Sequence, residues 1–214
     1  VCRILSISQA EAESLRISLE GFKIIDLLSS DLYPRFAREL YAMRQRKGMT
    51  LPKAMDNMKS RRYFGLMMLH HDMVDGYMGG FTRAYPDTAQ PALQVIGLKE
   101  GCTAPAGLYI MFCQGRPVLF ADTTLHISPT SEQLADIAIA SAEMAAMLGL
   151  TPRVAMLSFS NFGSNDHPDC QKMKRATEIA RGRRPDLNID GEMQADTAVD
   201  PLIAREIFEF SPLQ

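Results

Sequence analysis

The chain has 214 residues, a formal net charge of −2 and 46% apolar residues. That length can bury a sizeable core and fits one large domain or two small ones. The near-neutral charge favours neither nucleic acid nor an anionic membrane as a partner, no apolar run approaches the ~20 residues of a membrane span, and no secretory leader opens the chain. Cys2, Cys102, Cys113 and Cys170 are scattered without a CxxC pair. This favours free thiols in a reducing cytoplasm over a disulfide framework or a zinc site.

In chain order, residues 1–28 carry a broken strand and helix pattern ending in a short strand candidate, FKIIDLL. Leu32 to Gln45 predicts an amphipathic helix with Phe36, Leu40 and Met43 on one face. Thr50 is placed as the N-cap of the next helix, with Pro52 in its first turn. A further helix is expected from about Arg61 to His71. Its neighbouring His70 and His71 point about 100° apart, which disfavours a shared metal ion. Val74–Gly80 reads as a strand whose glycines allow close backbone approach. A loop at Thr82 and Arg83 precedes a helix through Pro91 and Leu93. Ala106–Phe112 and Val118–Asp122 predict a β-hairpin turning at Gly115, Arg116 and Pro117.

Thr130 and Gln133 form a capping-box pair ahead of a long helix, which places Leu134, Ile137, Ala138, Ser141, Met144, Ala145 and Leu148 on one stripe and stops at Gly149. A new strand begins near Arg153, so a domain boundary is expected at Leu150–Pro152, dividing residues 1–150 from 151–214. The apolar run Val154–Leu157 then empties into Ser158, Ser160, Asn161, Gly163 and Ser164, and Pro168 opens a helix. Strand, polar loop and helix N-terminus in that order suit anion binding, and open α/β sheets gather ligands at such strand ends. Neither a Walker A loop nor GxGxxG occurs, so the phosphate-cradling loops of mononucleotide and dinucleotide sites are unsupported.

The wording of these segments is more specific than their periodicity. MLSFSNFGS followed by DGEMQAD resembles the phosphate acetyl/butyryltransferase family. Matching segments occur upstream in the same order: LYAMRQRKGMTLPKAM, TRAYPDTAQPALQVIG and FADTTLHISPTSEQLADIAI. The resemblance runs from about Leu19 onward. Within the family, GGFTRAYPDT and DGEMQADTAVDP look most like the C-terminal domain of bacterial NADP-dependent malic enzymes.

The resemblance implies an α/β fold of two α/β/α layered domains with mostly parallel sheets and a ligand cleft between them, as in isocitrate/isopropylmalate dehydrogenases. It implies acetyl-CoA or CoA and phosphate as ligands, with no cofactor in this stretch. NADP and a divalent metal would belong to an upstream malic-enzyme region. A homo-oligomer, at least a dimer, is expected in the cytoplasm, with an acyl-CoA or acyl phosphate as small-molecule partner. The leading expectation is an effector domain of a malic enzyme; the alternative is a stand-alone phosphate acetyltransferase.

Acetyl transfer between CoA and phosphate needs cationic or N–H donors for phosphate, a pocket for the acetyl carbonyl and help in deprotonating the thiol. Arg44 and Arg83 are the cationic candidates, and Ser158, Ser160, Gly163 and Ser164 offer donors. By resemblance, Arg44 falls where the family carries a cleft arginine, and Thr82 with Arg83 where it has a short polar phosphate segment. Two departures stand out. Gln90 replaces the arginine common before PALQ, and no Ser-Arg pair or Asp of the family's C-terminal site follows Pro212. With Val1 in place of Met, the sequence is expected to be a piece of a longer protein.

Overall fold

The structure is a computed structural model that describes residues 3–4, 9–21, 23–80, 84–113 and 115–213. It is of the α/β class and divides into two compact units, Val1–Gly97 and Leu98–Gln214.

The first unit is mainly helical. A two-residue parallel pair, β1 (Arg3–Ile4) with β2 (Lys23–Ile24), and the short α1 (Gln9–Ser14) precede α2 (Leu32–Arg44), α3 (Leu51–Met58), α4 (Arg61–His70) and α5 (Pro86–Val95). Phe36 and Leu40 of α2 are buried against Met58 of α3 and Phe64 and Met67 of α4. The Phe36 and Phe64 rings meet edge-on at 5.2 Å. Met43, the third member of the expected stripe, lies near the end of α2 and is 38% exposed. Thr50 caps α3 as expected, its hydroxyl accepting the Lys53 N–H at 3.4 Å. The Tyr33 hydroxyl donates to the Met55 carbonyl at 2.7 Å and ties α2 to α3. The two histidines at the end of α4 share Glu39 of α2: His71 Nε2 lies 2.8 Å from one carboxylate oxygen and His70 Nε2 3.8 Å from the other.

The expected strand over Val74–Gly80 does not form. The stretch is irregular, and Met78 is 98% exposed. A strand is stabilised by its ladder partner, and these residues pair with no strand among the described residues. Three glycines in seven positions add a conformational cost to extended order.

The second unit opens with an antiparallel ribbon, β3 (Leu108–Cys113) and β4 (Arg116–Ala121), paired from Leu108↔Ala121 to Cys113↔Arg116. Arg116 and Pro117 are therefore strand residues rather than turn residues, and Gly115, at φ 77°, turns the chain. Helix α6 (Ser131–Met147) starts with the expected capping box of Thr130 and Gln133. Strand β5 (Arg153–Leu157), α7 (Pro168–Arg183) and β6 (Asn188–Met193) form a β-α-β unit with parallel strands, Val154 standing opposite Ile189. Two short helices follow, α8 (Ala195–Val199) and α9 (Pro201–Ile207). Of the run Val154–Leu157 only Met156 is fully buried, and Leu157 is 44% exposed.

The helix stop and fresh strand at Leu150–Pro152 lie inside this second unit, and the division falls after α5 instead. The reason is the face of α6. Ala135, Ala138 and Ala142 pack on Met156, Ala176, Ala180 and Ile189, so the helix before the expected boundary shares one core with the elements after it. A polar clasp reinforces that packing. Asp136 of α6, 5% exposed, accepts the Thr103 N–H at 2.7 Å, the Thr103 hydroxyl at 2.5 Å and Arg183 Nη1 of α7 at 2.5 Å. Burial pushes the Asp136 carboxyl up, but the Thr103 donors and the Arg183 guanidinium outweigh it and hold the group below the usual value of 3.8.

Candidate functional site

In the second unit the polar loop after β5 is organised by one acid. Glu192 of β6 is 1% exposed, and its Oε1 accepts the Gly163 N–H at 2.5 Å and the Ser160 hydroxyl at 3.3 Å. The backbone adds two bonds, Ser158 N–H to the Met193 carbonyl and Phe162 N–H to the Glu192 carbonyl, both at 2.8 Å. Asn161 and Gln194 close the loop reciprocally: Asn161 Nδ2 donates to Gln194 Oε1 at 2.9 Å, and the Gln194 N–H donates to Asn161 Oδ1 at 2.8 Å. Phe162 and Gly163 take positive φ in succession, 46° and 84°, which turns the Gly163 N–H onto the carboxylate.

The four residues expected here thus come together, each with a partner inside the chain. Ser160 and Gly163 donate to Glu192, and the Ser164 hydroxyl accepts the Asn161 N–H at 3.1 Å. Ser158 Oγ lies 3.4 Å from the buried Cys170 Sγ. The start of α7 is also occupied. His167 Nδ1 accepts the Asp169 N–H at 3.2 Å, and the Asp169 carboxylate lies in the first turn, its pKa lowered by Lys172 at 2.9 Å.

Beside this loop is a cavity of about 280 Å³ whose lining includes Phe162, Thr177, Arg181, Asp190, Glu192 and Phe210. Arg181 pairs with Asp190, and its Nε donates to the Ile189 carbonyl at 3.0 Å. Gly191, between the two acids, has φ 143°, and a Cβ there would lie 2.5 Å from the Met156 carbonyl oxygen. Only glycine lets the two strands approach so closely. Glu192 is not among the residues expected from the sequence, although a cue is present: β6 alternates acids with apolar residues, and buried carboxylates in a strand call for dedicated partners.

In the first unit, Arg44 closes α2 and is half-buried. Nearby on α4, the Tyr63 hydroxyl donates to Gln94 Oε1 of α5 at 2.7 Å. Burial pushes the Tyr63 hydroxyl above its usual pKa, and the charges of Arg44 and Arg62 pull in the opposite direction. Gln90 is exposed on α5, while Thr82 and Arg83 lie outside the described residues. Among the described residues, no group of three or more His, Cys, Asp or Glu side chains could hold a metal ion.

A β-α-β unit with a polar strand-end loop, following a mainly helical unit in sequence, places the chain in the α/β class. The family profile for phosphate acetyl/butaryl transferases matches residues 4–214. The chain is 40% identical over 200 residues to a phosphate acetyltransferase of Thermoanaerobacterium thermosaccharolyticum, covering 88% of this chain and 61% of that protein. It is 37% identical over 198 residues to the phosphate acetyltransferase of Bacillus subtilis, covering 92% and 61%. In structure it is similar to the EutD phosphotransacetylase from Staphylococcus aureus, with a TM-score of 0.85, 29% identity and 98% and 66% of the two chains covered. A phosphotransacetylase from Streptococcus pyogenes gives a TM-score of 0.86 at 33% identity, with 97% and 64% covered. The chain belongs to the phosphate acetyl/butaryl transferase family. It spans about three fifths of the length of the two curated relatives named above. Among the described residues no helix is long and apolar enough to cross a membrane.

Proposed function

We propose that the protein containing this chain is a phosphate acetyltransferase, which moves an acetyl group between the thiol of coenzyme A and inorganic phosphate. The observation that carries this reading is the 40% identity to a phosphate acetyltransferase along 88% of the chain. In the forward direction a phosphate oxygen attacks the thioester carbonyl, and the C–S bond breaks. Coenzyme A leaves as a thiolate that takes up a proton, and acetyl phosphate is released. Anionic phosphate and the developing oxyanion both need preorganised donors. Arg44, Thr82 and Arg83 are proposed to bind the phosphate or coenzyme A. Ser158, Ser160, Gly163 and Ser164 are proposed to shape the acyl pocket, with Glu192 setting their loop. A homo-oligomer in the cytoplasm is part of the same proposal.

The transferase takes the place of the malic-enzyme effector domain as the leading reading, because the two curated relatives named above carry the transferase name. NADP and a divalent metal have no role in it. The effector reading keeps one supporting feature, Gln90 in place of a cation, since an effector site needs no transition-state charge.

The test is acetyl phosphate formation from acetyl-CoA and phosphate by the full-length protein, run beside malate-dependent NADP reduction. Acetyl phosphate formation abolished or strongly slowed by Arg44→Gln supports the transferase. Malate oxidation modulated by acetyl-CoA, without acetyl phosphate formation, refutes it.

A further inference from the structure

Asp190 and Glu192 of β6 are both buried, and both line the cavity beside the strand-end loop. Carboxylates taken out of water need hydrogen-bond donors and a nearby cation. Glu192 finds its donors in the loop, at the Gly163 N–H and the Ser160 hydroxyl. The cation comes from α7, where Lys174, Thr177, Glu178 and Arg181 recur at helical spacing along the cavity wall.

Arg181 is the member of that row that bonds to β6. Its Nε donates to the Ile189 carbonyl at 3.0 Å, and its Nη2 donates to Asp190 Oδ1. The same Asp190 oxygen accepts the Gly191 N–H at 2.9 Å. Gly191 is confined from β5 as well, since a Cβ there would lie 2.5 Å from the Met156 carbonyl oxygen. The backbone entering Glu192 is thus held between the Arg181–Asp190 pair and β5. A connected path runs from α7 to the loop: Arg181 to Asp190, Asp190 to Gly191, and Glu192 to Gly163 and Ser160.

A guanidinium with two donors in fixed geometry holds orientation as well as charge. We propose that Arg181 is a positioning residue for acetyl transfer, acting through Asp190 and Gly191 to keep Glu192 where it fixes Ser160 and Gly163. It rests on the transferase reading and deepens it, since that loop is the proposed wall of the acyl pocket. A pocket that orients reacting groups loses about a hundredfold in rate for a misplacement of about 1 Å. Arg181 touches no reacting atom, so its loss should appear in kcat rather than in KM. The side chain is half-exposed and borders the cavity, so a free guanidinium ion has access to the place it leaves.

Rates of acetyl phosphate formation by the full-length protein, at varied acetyl-CoA and phosphate, test this beside thermal melts. Arg181→Ala should lower kcat by about ten- to a hundredfold, with both KM values changed by no more than about twofold. Guanidinium chloride below unfolding concentrations should restore part of that kcat and leave wild type unimproved. Added to Glu192→Gln, Arg181→Ala should cause little further loss, because both act on one loop. Arg175→Ala, which removes an exposed charge from the same helix, should leave kcat unchanged. If the alanine variant does not fold, Arg181→Lys carries the test: it keeps the charge, loses the two-donor fork and should still cost several-fold in kcat. A folded Arg181 variant with wild-type kcat overturns the proposal, and the wild-type activity then leaves the transferase reading standing. A loss that guanidinium does not relieve, and that adds fully to Glu192→Gln, marks a purely structural ion pair and also overturns it. A wild-type protein that forms no acetyl phosphate removes the transferase reading and the proposal together.

Discussion

The Gly163 N–H and Glu192 Oε1 meet at 2.5 Å across 29 positions of sequence. That bond joins the loop after β5 to the strand that pairs with β5, so loop shape and sheet pairing are one structure. Glu192→Ala leaves the Gly163 N–H and the buried Ser160 hydroxyl without their acceptor. The expected cost is about 2–4 kcal/mol, and about 1–2 kcal/mol for Glu192→Gln, which keeps one acceptor oxygen. Urea unfolding of the full-length protein checks the order. Equal midpoints for wild type and the alanine variant would mean that the carboxylate does not organise the loop.

Gly191→Ala should be about as damaging without removing any hydrogen-bonding group. The new Cβ would stand 2.5 Å from the Met156 carbonyl oxygen and 2.7 Å from its Cβ, at a φ of 143° that L side chains rarely adopt. Relief requires β5 and β6 to separate, at a cost of at least about 2 kcal/mol. A thermal melt unchanged by the substitution would refute the close approach.

These two sites mark where sequence reading succeeds and where it runs out. The caps at Thr50 and at Thr130 with Gln133 are local chemistry, and both form as expected. The β3–β4 hairpin is legible for the same reason, although Arg116 and Pro117 join the ladder rather than the turn. Val74–Gly80 fails as a strand because strands depend on distant partners that no local pattern names. The division near Gly97 was hidden because a helix stop, Pro152 and a new strand mimic a boundary at Leu150–Pro152. What binds α6 to β5 is an alanine face, visible only after folding. The strand-end loop is legible in its polar run, but its dependence on Glu192 spans too much sequence to be read from spacing.

The Asp136 clasp makes part of the stability depend on pH. With its folded pKa below 3.8, the carboxylate contributes fully above the unfolded value. As pH falls below 3.8 the unfolded chain takes up its proton first, and the contribution disappears as pH drops through the folded pKa. Asp136→Asn should therefore cost about 2 kcal/mol at neutral pH, and the gap to wild type should close as pH falls below 3.8 through the lowered folded pKa. Denaturation midpoints across that range decide it. A gap that stays constant with pH would assign the loss to packing rather than to the Arg183 and Thr103 bonds.

Gln90 offers a gain-of-function test of whether position 90 meets a phosphate-bearing ligand. The family resemblance places an arginine before PALQ, and here that position is an exposed glutamine on α5. Exposure makes Gln90→Arg cheap for the fold, because the new guanidinium stays in solvent and displaces nothing buried. If the position faces a phosphate-bearing ligand, one added charge-assisted hydrogen bond is worth about 1–2 kcal/mol, or roughly a five- to thirtyfold lower apparent KM. Acetyl phosphate formation by the full-length protein, measured at varied phosphate and varied acetyl-CoA, identifies which ligand gains. The improvement should shrink as salt is raised, since part of it is a screened surface charge. A folded Gln90→Arg protein with both KM values unchanged at low salt would place position 90 away from the ligands and remove the one feature that supports the effector alternative.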